Sequence, residues 1–152
     1  MATFIMMIGI GGAGKSTLAQ FIAAEHEAII LSSSDICKEL YGDEICRKKP
    51  ERVFRIMEER ARASLAQGKS VVYDAANLCA KYRQSFLVTL PKKVAKQCIW
   101  INAPLELAIY NNASRDKHVA ESIIKMQAKL LQPPSYMEGW DSIRVITPSL
   151  IS

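Results

Sequence analysis

Short apolar runs alternate along the chain with longer stretches in which apolar residues recur at helical spacing. Five apolar runs predict buried strands, namely Phe4–Ile8, Ala28–Leu31, Val71–Tyr73, Cys98–Ile101 and Ile143–Ile146. Five stretches between them predict helices, namely Lys15–Glu25, Glu51–Gln67, Lys81–Leu90, Leu105–Asn112 and Ala120–Leu131. In the second helical stretch, Val53, Met57, Ala61 and Leu65 recur on one face, and Gly68 stands where helices commonly end.

Alternation of strands and helices is typical of a parallel sheet that is covered by helices on both faces. Such sheets bind their ligands beyond the carboxyl ends of the strands. The length of 152 residues suits one domain with a buried core, so we expect a single domain over residues 1–152.

The first predicted strand runs directly into a glycine-rich loop. The segment Gly9-Ile10-Gly11-Gly12-Ala13-Gly14-Lys15-Ser16 matches the pattern G-x-x-x-x-G-K-[ST] and precedes a predicted helix. Glycines let the backbone turn so that consecutive N–H groups face phosphate oxygens, and the helix N-terminus adds a partial positive charge. We expect the following residues to bind ATP or another nucleoside triphosphate: Gly9, Gly11, Gly12, Ala13, Gly14, Lys15, Ser16 and Thr17.

Two side chains of this loop and one acid further along the chain are expected to act on the phosphates and on Mg²⁺. Lys15 is expected to reach the β- and γ-phosphates, and the Ser16 hydroxyl is a candidate magnesium ligand. Asp74 follows the strand Val71–Tyr73, where many P-loop proteins place an acid near magnesium. A helix-capping aspartate is the alternative, and Asn77 is expected either to orient Asp74 or to cap the next helix.

Several P-loop classes are excluded by what the sequence lacks. It contains no N-K-x-D motif, and no D-x-x-G glycine follows Asp74, so a GTPase switch is not expected. The chain is also too short for the lid and sensor subdomains of large ATPase machines. A small kinase remains, and a kinase needs a carboxylate for the acceptor hydroxyl and cations for the phosphoryl group in transfer.

Asp35 is the candidate carboxylate, because it follows the second predicted strand and the polar run Ser32-Ser33-Ser34. The alternative is an N-cap for a helix that begins at Ile36. Residues 111–118 are polar and predict a small helical lid between two helices. Within it, Arg115 is the candidate for bracing the transferred phosphoryl group, with Lys117 as a lesser helper, and a solvated loop arginine is the alternative.

The predicted fold class is therefore an α/β P-loop NTPase fold of the nucleoside-kinase type. It has a parallel five-stranded sheet, helices on both faces and a small helical lid. The net charge of +5 gives weak support for anionic partners such as nucleotides or nucleic acid. No apolar run reaches the roughly 18 residues of a membrane span, so no membrane partner is expected.

The cysteines give an indication of the cellular compartment of the protein. Four cysteines are spaced irregularly, namely Cys37, Cys46, Cys79 and Cys98. Their spacing does not suit a zinc site, and the N-terminus reads as a buried strand and not as a signal peptide. We therefore expect buried, reduced thiols and a cytoplasmic location.

The candidate site residues occur along the chain in an order that resembles that of phage-type polynucleotide 5′-hydroxyl kinases and of their zeta-toxin-like and seryl-tRNA-kinase-like relatives. The resemblance covers nearly the whole chain. It is carried by the loop Gly9–Thr17, Asp35, the segment Asp74–Leu78, Arg115, and a tail with Pro133-Pro134, Glu138-Gly139-Trp140-Asp141 and Val145-Ile146.

The resemblance implies that Lys15 and Ser16 hold phosphates and magnesium, that Asp35 is the general base on a 5′-hydroxyl, and that Arg115 contacts phosphates from the lid. Two positions depart from the pattern. Lys38 stands where phage-type kinases carry an arginine that holds the acceptor's phosphate, and Asn111 replaces an arginine near the start of the lid.

A basic cluster after the Asp35 segment bears on the acceptor. It comprises Arg47, Lys48, Lys49, Arg52 and Arg55. Such a cluster can follow a nucleic-acid backbone, and Tyr41 or Phe54 can stack a base, so Lys38 and Arg52 are candidate acceptor-binding residues. The alternative is an exposed helix start that Glu51, Glu58 and Glu59 partly neutralise.

Three functions stay open. The first is an ATP-dependent kinase of single-stranded nucleic-acid 5′ ends. The second is a kinase of a nucleoside, sugar or nucleotide-sugar, and the third is a nucleotide-dependent binding module without catalysis.

Overall fold

In the computed structural model, which describes residues 2–45 and 49–149, five parallel strands form one sheet. The strands are β1 (Thr3–Ile8), β2 (Ile29–Ser32), β3 (Val71–Asp74), β4 (Ala95–Ile101) and β5 (Ser142–Ile146). Their order is β2-β3-β1-β4-β5, and each neighbouring pair is parallel. All five predicted strands are present, and the predicted fold class is confirmed.

Helices cover both faces of this sheet. They are α1 (Lys15–His26), α2 (Ser33–Tyr41), α3 (Pro50–Ala66), α4 (Ala80–Leu87), α5 (Leu105–Ala113) and α6 (Glu121–Leu130), and a short 3-10 helix spans Tyr136–Glu138. Alternate residues of β1 enter two different core layers. Phe4 and Met6 pack with residues of α2, α3 and α4, whereas Ile5 and Met7 pack with residues of α1, α5 and α6.

The start of α2 differs from the alternative interpretation in which Asp35 caps a helix beginning at Ile36. The helix begins at Ser33, and the Ser32 hydroxyl at the end of β2 accepts a hydrogen bond from the Asp35 backbone N–H at 3.4 Å. Serine and aspartate are both favoured caps, so the local sequence does not decide between them. Because Ser32 takes the cap, the Asp35 carboxylate is not used for capping.

A buried ion pair fastens the C-terminal tail to helix α4. Arg83 on α4 is 1% exposed, and its Nε donates to Glu138 Oε1 at 2.8 Å. The same guanidinium donates to the backbone carbonyls of Asn77 and Gln132, and Trp140 Nε1 donates to Glu138 Oε1. The tail singled out in the sequence therefore supports the loop that follows β3 through a network in which each buried charge is hydrogen-bonded.

We predict that Glu138→Gln lowers the free energy of unfolding by about 3 kcal/mol, because the Arg83 cation would stay buried without its counter-charge. The reference variant is Glu39→Gln, which removes an exposed ion pair between Glu39 and Arg60. Exposed pairs contribute less than about 1 kcal/mol. Urea unfolding at neutral pH measures both variants, and equal losses would contradict the prediction.

The same pair makes stability depend on pH. Burial alone raises the pKa of Glu138, but hydrogen bonds from Arg83 and Trp140 outweigh burial and hold the pKa below its ordinary value of 4.5. The ionised carboxyl therefore stabilises the fold fully above the unfolded-state pKa, and this contribution is lost as the pH falls through the folded-state pKa. The stability difference between wild type and Glu138→Gln should narrow accordingly below pH 4.5.

The cysteines partly match the expectation of reduced, buried thiols. Cys98 is a free, buried thiol, and burial raises its pKa to about 12, whereas Cys79 is free and half-buried. Cys37 is disulfide-bonded, so the expectation is wrong at that residue. Cys46 lies outside the described residues. Within residues 2–45 and 49–149, no helix has the length and apolar character needed to cross a bilayer.

Candidate functional site

A cavity of about 470 Å³ lies at the carboxyl ends of β1, β2 and β3. The strand register places Ser32 and Met7 on either side of Asp74, so the ends of the three strands meet at one edge of the sheet. The cavity is lined by Gly11, Gly12, Gly14, Lys15, Ser16, Thr17, Ser32, Ser33, Ser34, Asp74, Ala75, Ala76, Asn111, Arg115 and Gln127. Sequence motif and sheet topology therefore point to the same place.

The phosphate-binding loop needs glycine at defined positions. Gly12 and Gly14 have φ values of +82° and +100°, which favour glycine. A Cβ on Gly12 would also lie 2.1 Å from the Ala108 carbonyl oxygen of α5. No side chain caps the N-terminus of α1, so the first amides of that helix are left for a ligand, as in an anion site.

Lys15 lies at the wall of this cavity and is bonded within the loop. Its Nζ donates to the Ile10 carbonyl oxygen at 2.8 Å. Burial lowers the pKa of Lys15 to about 8, although the Asp74 charge opposes this shift, and the Arg115 charge makes a smaller further contribution to the lowering. Lys15 is half-buried and forms no ion pair within residues 2–45 and 49–149, and an anion in the cavity would supply one.

Ser16 and Asp74 form a pair of oxygen ligands. Ser16 Oγ donates to Asp74 Oδ2 at 2.9 Å, and the Asp74 side chain is buried. Burial raises the pKa of Asp74, and the Asp35 charge adds to it, while Ser16, Lys15 and Arg115 lower it. One hydroxyl and one carboxylate fit Mg²⁺, which commonly takes few protein oxygens and completes its shell with phosphates and water.

Asp74 does not cap helix α4, so the alternative interpretation of this residue is wrong. The N-cap of α4 is Cys79, which provides no side-chain cap. Asn77 neither caps this helix nor orients Asp74, because its Nδ2 donates to the carbonyl oxygens of Met7 and Ala75. It thereby holds the loop after β3 against the end of β1, where the Gly9 N–H also bonds the Ala76 carbonyl.

Asp35 and Arg115 lie far apart in the sequence, yet the charges of both influence Asp74. Asp35 is exposed in the first turn of α2, and its carboxylate has no hydrogen bond or ion pair within residues 2–45 and 49–149. Its charge nevertheless raises the pKa of Asp74, so it lies near that group. Arg115 lines the cavity, and its charge lowers the pKa of both Lys15 and Asp74.

The first part of the segment expected to form a lid belongs to a helix, because α5 continues through Asn111 and Asn112 to Ala113. Asn112 is buried, and its side chain bonds both backbone groups of Val119, at 2.8 Å and 3.2 Å. Asn111 Nδ2 donates to the Gly12 carbonyl oxygen at 2.9 Å. These contacts favour helix in a polar segment. Movement of the segment after Ala113 as a lid stays a prediction.

The candidate acceptor residues lie apart from the cavity lining. Lys38 Nζ is 3.8 Å from a Glu44 carboxylate oxygen, and Arg52 is exposed in the first turn of α3. Lys117 lines a second cavity of about 440 Å³ between the end of α2 and the segment before α6. Arg47 and Lys48 of the basic cluster lie outside the described residues.

Two cavity residues have a role that the sequence did not suggest. Asn111 was singled out only as a departure from an arginine, yet it bonds the phosphate-binding loop. Gln127 on α6 was not singled out, and its Oε1 accepts a hydrogen bond from the Gly11 N–H at 2.7 Å. Both residues lie about a hundred positions from their partners, so no local pattern marks them.

Comparisons with known proteins agree with this geometry. A protein family described as AAA domain matches residues 4–134. A sugar kinase from Janibacter sp. HTCC2649 superimposes with a TM-score of 0.73 at 19% identity, over 97% of this chain and 86% of that chain. Among curated proteins, none matches the sequence.

Two further solved structures are similar. A fungal RNA kinase has a TM-score of 0.70 at 16% identity, over 100% of this chain and 40% of that chain. Kti12 from Chaetomium thermophilum, in complex with ADP-AlF3, has a TM-score of 0.71 at 16% identity, over 97% of this chain and 89% of that chain. At such identities the likeness shows a shared fold, the P-loop kinase-like fold.

Proposed function

The chain belongs to the AAA-domain family, and on that premise we propose that it is a kinase that transfers the γ-phosphate of Mg-ATP to a hydroxyl group. The observation that carries the proposal is the composition of the cavity. It joins the half-buried ammonium of Lys15 and the Ser16–Asp74 oxygen pair to Arg115, with the unbonded carboxylate of Asp35 nearby. Phosphoryl transfer requires this set of groups.

On the donor side, the loop and the start of α1 would bind the polyphosphate through backbone amides. Lys15 would exchange the Ile10 carbonyl for phosphate oxygens, which restores a full charge partner to its ammonium. Ser16 and Asp74 would hold Mg²⁺, which neutralises charge on the phosphates when bound. These roles need no movement of the sheet, because all of them fall at the ends of adjacent strands.

On the acceptor side, Asp35 would accept the proton of the attacking hydroxyl. An exposed carboxylate without a partner is free to take that hydrogen bond. Arg115 would contact the phosphoryl group as it moves from donor to acceptor, since its charge already reaches the Lys15 end of the cavity. The segment that carries Arg115 would act as a lid that excludes water from the reaction.

The acceptor that we propose is the 5′-hydroxyl of a polynucleotide, within the group of phage-type polynucleotide kinases and zeta-toxin-like proteins. Its support is the order of the loop, Asp35, the Asp74 segment and Arg115 along the chain. The similar solved structures also include a fungal RNA kinase and the Pnkp1/Rnl/Hen1 RNA repair complex. Lys38 and Arg52 would then contact backbone phosphates of a single-stranded end.

A small-molecule acceptor is the second candidate, and the Lys38 environment favours it. The Lys38 ammonium is 3.8 Å from Glu44, so part of its charge is already compensated, and neither Lys38 nor Arg52 lines the cavity. Similar structures include sugar kinases as well, among them a gluconokinase from Sinorhizobium meliloti 1021. A nucleoside, sugar or nucleotide-sugar would need fewer cationic contacts than a polynucleotide.

Transfer of label from γ-labelled ATP to a 5′-hydroxyl oligonucleotide tests the proposal directly. We expect Mg²⁺-dependent labelling of that oligonucleotide and none of a 5′-phosphorylated oligonucleotide of the same sequence, which lacks the accepting group. Binding of the oligonucleotide should weaken steeply with salt, because phosphate contacts release counterions. Labelling of a sugar or nucleoside without labelling of either oligonucleotide would instead select the second candidate.

A further inference from the structure

The side chain of Gln127 reaches from α6 to the phosphate-binding loop. Its Oε1 accepts the Gly11 N–H at 2.7 Å, and the residue lines the 470 Å³ cavity. The helix is seated tightly on the loop, since a Cβ on Gly11 would lie 2.7 Å from Ile124 Cδ1. The position of Gln127 is therefore fixed by packing as well as by its hydrogen bond.

This hydrogen bond also determines which way the Gln127 amide faces. A backbone N–H can only donate, so the oxygen of the amide must face Gly11 and the NH₂ group must point away from it. Within residues 2–45 and 49–149, Nε2 makes no hydrogen bond. Gln127 thus brings a donor without a partner to the wall of a cavity that suits an anion.

The place of this donor along the cavity follows from one peptide group. The carbonyl of Ile10 accepts from Lys15 Nζ, and the amide of the same peptide, on Gly11, donates to Gln127. The lysine of such a loop reaches the β- and γ-phosphates. The carbonyl and the N–H of a trans peptide point in opposite directions, so Lys15 and Gln127 flank the Ile10–Gly11 peptide from opposite sides. Both side chains line the same cavity, so Gln127 is one peptide group away from the lysine that would reach the terminal phosphates.

We infer that Gln127 Nε2 donates a hydrogen bond to the γ-phosphate of a bound nucleoside triphosphate, a contact that a diphosphate does not make. The inference rests on the proposed nucleotide site. A neutral amide suits this place, because a third cation would add to the repulsion between Arg115 and Lys15. Gln127 would thus help the protein to tell its triphosphate from the diphosphate product.

Two substitutions separate this contact from simple support of the loop. Gln127→Glu keeps an oxygen for Gly11 but places an anionic oxygen where the NH₂ group stood, so affinity for a non-hydrolysable Mg-ATP analogue should fall about 10- to 100-fold. Affinity for Mg-ADP should change little. Gln127→Met removes both the acceptor and the donor, and should weaken binding of the ATP analogue about 10-fold.

If Gln127 only supports the loop and does not contact the nucleotide, we expect a different pattern of affinities in the two variants. Gln127→Glu would then lower both affinities by a similar factor through its added charge, and Gln127→Met would weaken both to the same extent, so the ratio of ATP-analogue to ADP affinity would stay that of wild type. Met126→Glu is the matched control, because it adds the same charge to an exposed neighbour on α6 and should leave both affinities unchanged. Thermal unfolding of each variant checks that the fold is retained.

Calorimetric titration of the full chain with the two nucleotides requires no acceptor. Absence of phosphate transfer to every acceptor, with nucleotide binding intact, would contradict the proposed kinase function and leave the Gln127 contact standing. An unchanged ratio of ATP-analogue to ADP affinity in Gln127→Glu would overturn the role of Gln127 and leave the kinase proposal standing.

Discussion

Lys15→Met should reduce phosphate transfer by about 10²- to 10³-fold and weaken ATP binding by about 10-fold or more. The ammonium lies in the wall of the cavity, and methionine fills a similar volume without charge or hydrogen-bond donors. Thermal stability should be equal to or higher than that of wild type, because burial lowers the Lys15 pKa to about 8 and the fold thus disfavours the charge. Transfer assays, titration with Mg-ATP and thermal unfolding measure the three effects.

Lys81→Met is the matched control, since Lys81 is an exposed lysine in the first turn of α4 and does not line the cavity. It should leave transfer and binding unchanged. A Lys15→Met protein that unfolds at a clearly lower temperature would show that the lysine supports the fold. A loss of phosphate transfer would then reflect the damaged fold and would not be evidence that Lys15 contacts the phosphates.

Much of this architecture is predictable from the sequence because it is encoded locally. Each strand is an apolar run, and the phosphate-binding loop is recognisable by glycines at fixed spacing between a strand and a helix. In α3, Val53, Met57, Ala61 and Leu65 are all buried, as their spacing predicted. Such signals depend on neighbours in the chain, so a single sequence suffices to detect them.

Features that depend on distant partners could not be predicted in this way. Arg83 occupies a position on α4 that looks like an ordinary exposed charge, yet it pairs with Glu138, 55 residues away. Asn111 and Gln127 bond loop residues 99 and 116 positions away. The polar run before Asp35 offered several capping residues, and only the position of β2 selects Ser32.

The candidate site likewise contains residues whose positions follow from the sequence and a residue whose position depends on distant contacts. Lys15 and Ser16 belong to one contiguous motif, and Asp74 follows a strand that pairs with β1, so their meeting is a consequence of the parallel sheet. Arg115 reaches the cavity because Asn112 bonds Val119 and Asn111 bonds Gly12, which fixes the path of the chain on both sides. Packing and polar contacts of the whole fold therefore place Arg115 in the cavity lining.

Asp35→Asn should reduce transfer by about 10²- to 10⁴-fold, because the amide cannot take the proton of the attacking hydroxyl. Mg-ATP binding should be unchanged or slightly tighter, since Asp35 does not line the cavity and its charge raises the pKa of Asp74. Loss of turnover with intact binding is the signature of a group that acts in the chemical step. Single-turnover transfer at saturating ATP, beside titration with Mg-ATP, measures the two quantities.

The matched control is Glu51→Gln, which removes an exposed acid from the first turn of α3, as Asp35→Asn does from α2. Both changes weaken a favourable interaction with a helix N-terminus by a similar amount, so a comparable effect on stability is expected. Only Asp35→Asn should affect transfer. Equal turnover in the two variants would rule out Asp35 as the base, whereas wild-type protein that binds Mg-ATP and transfers phosphate to no acceptor would favour the non-catalytic binding module.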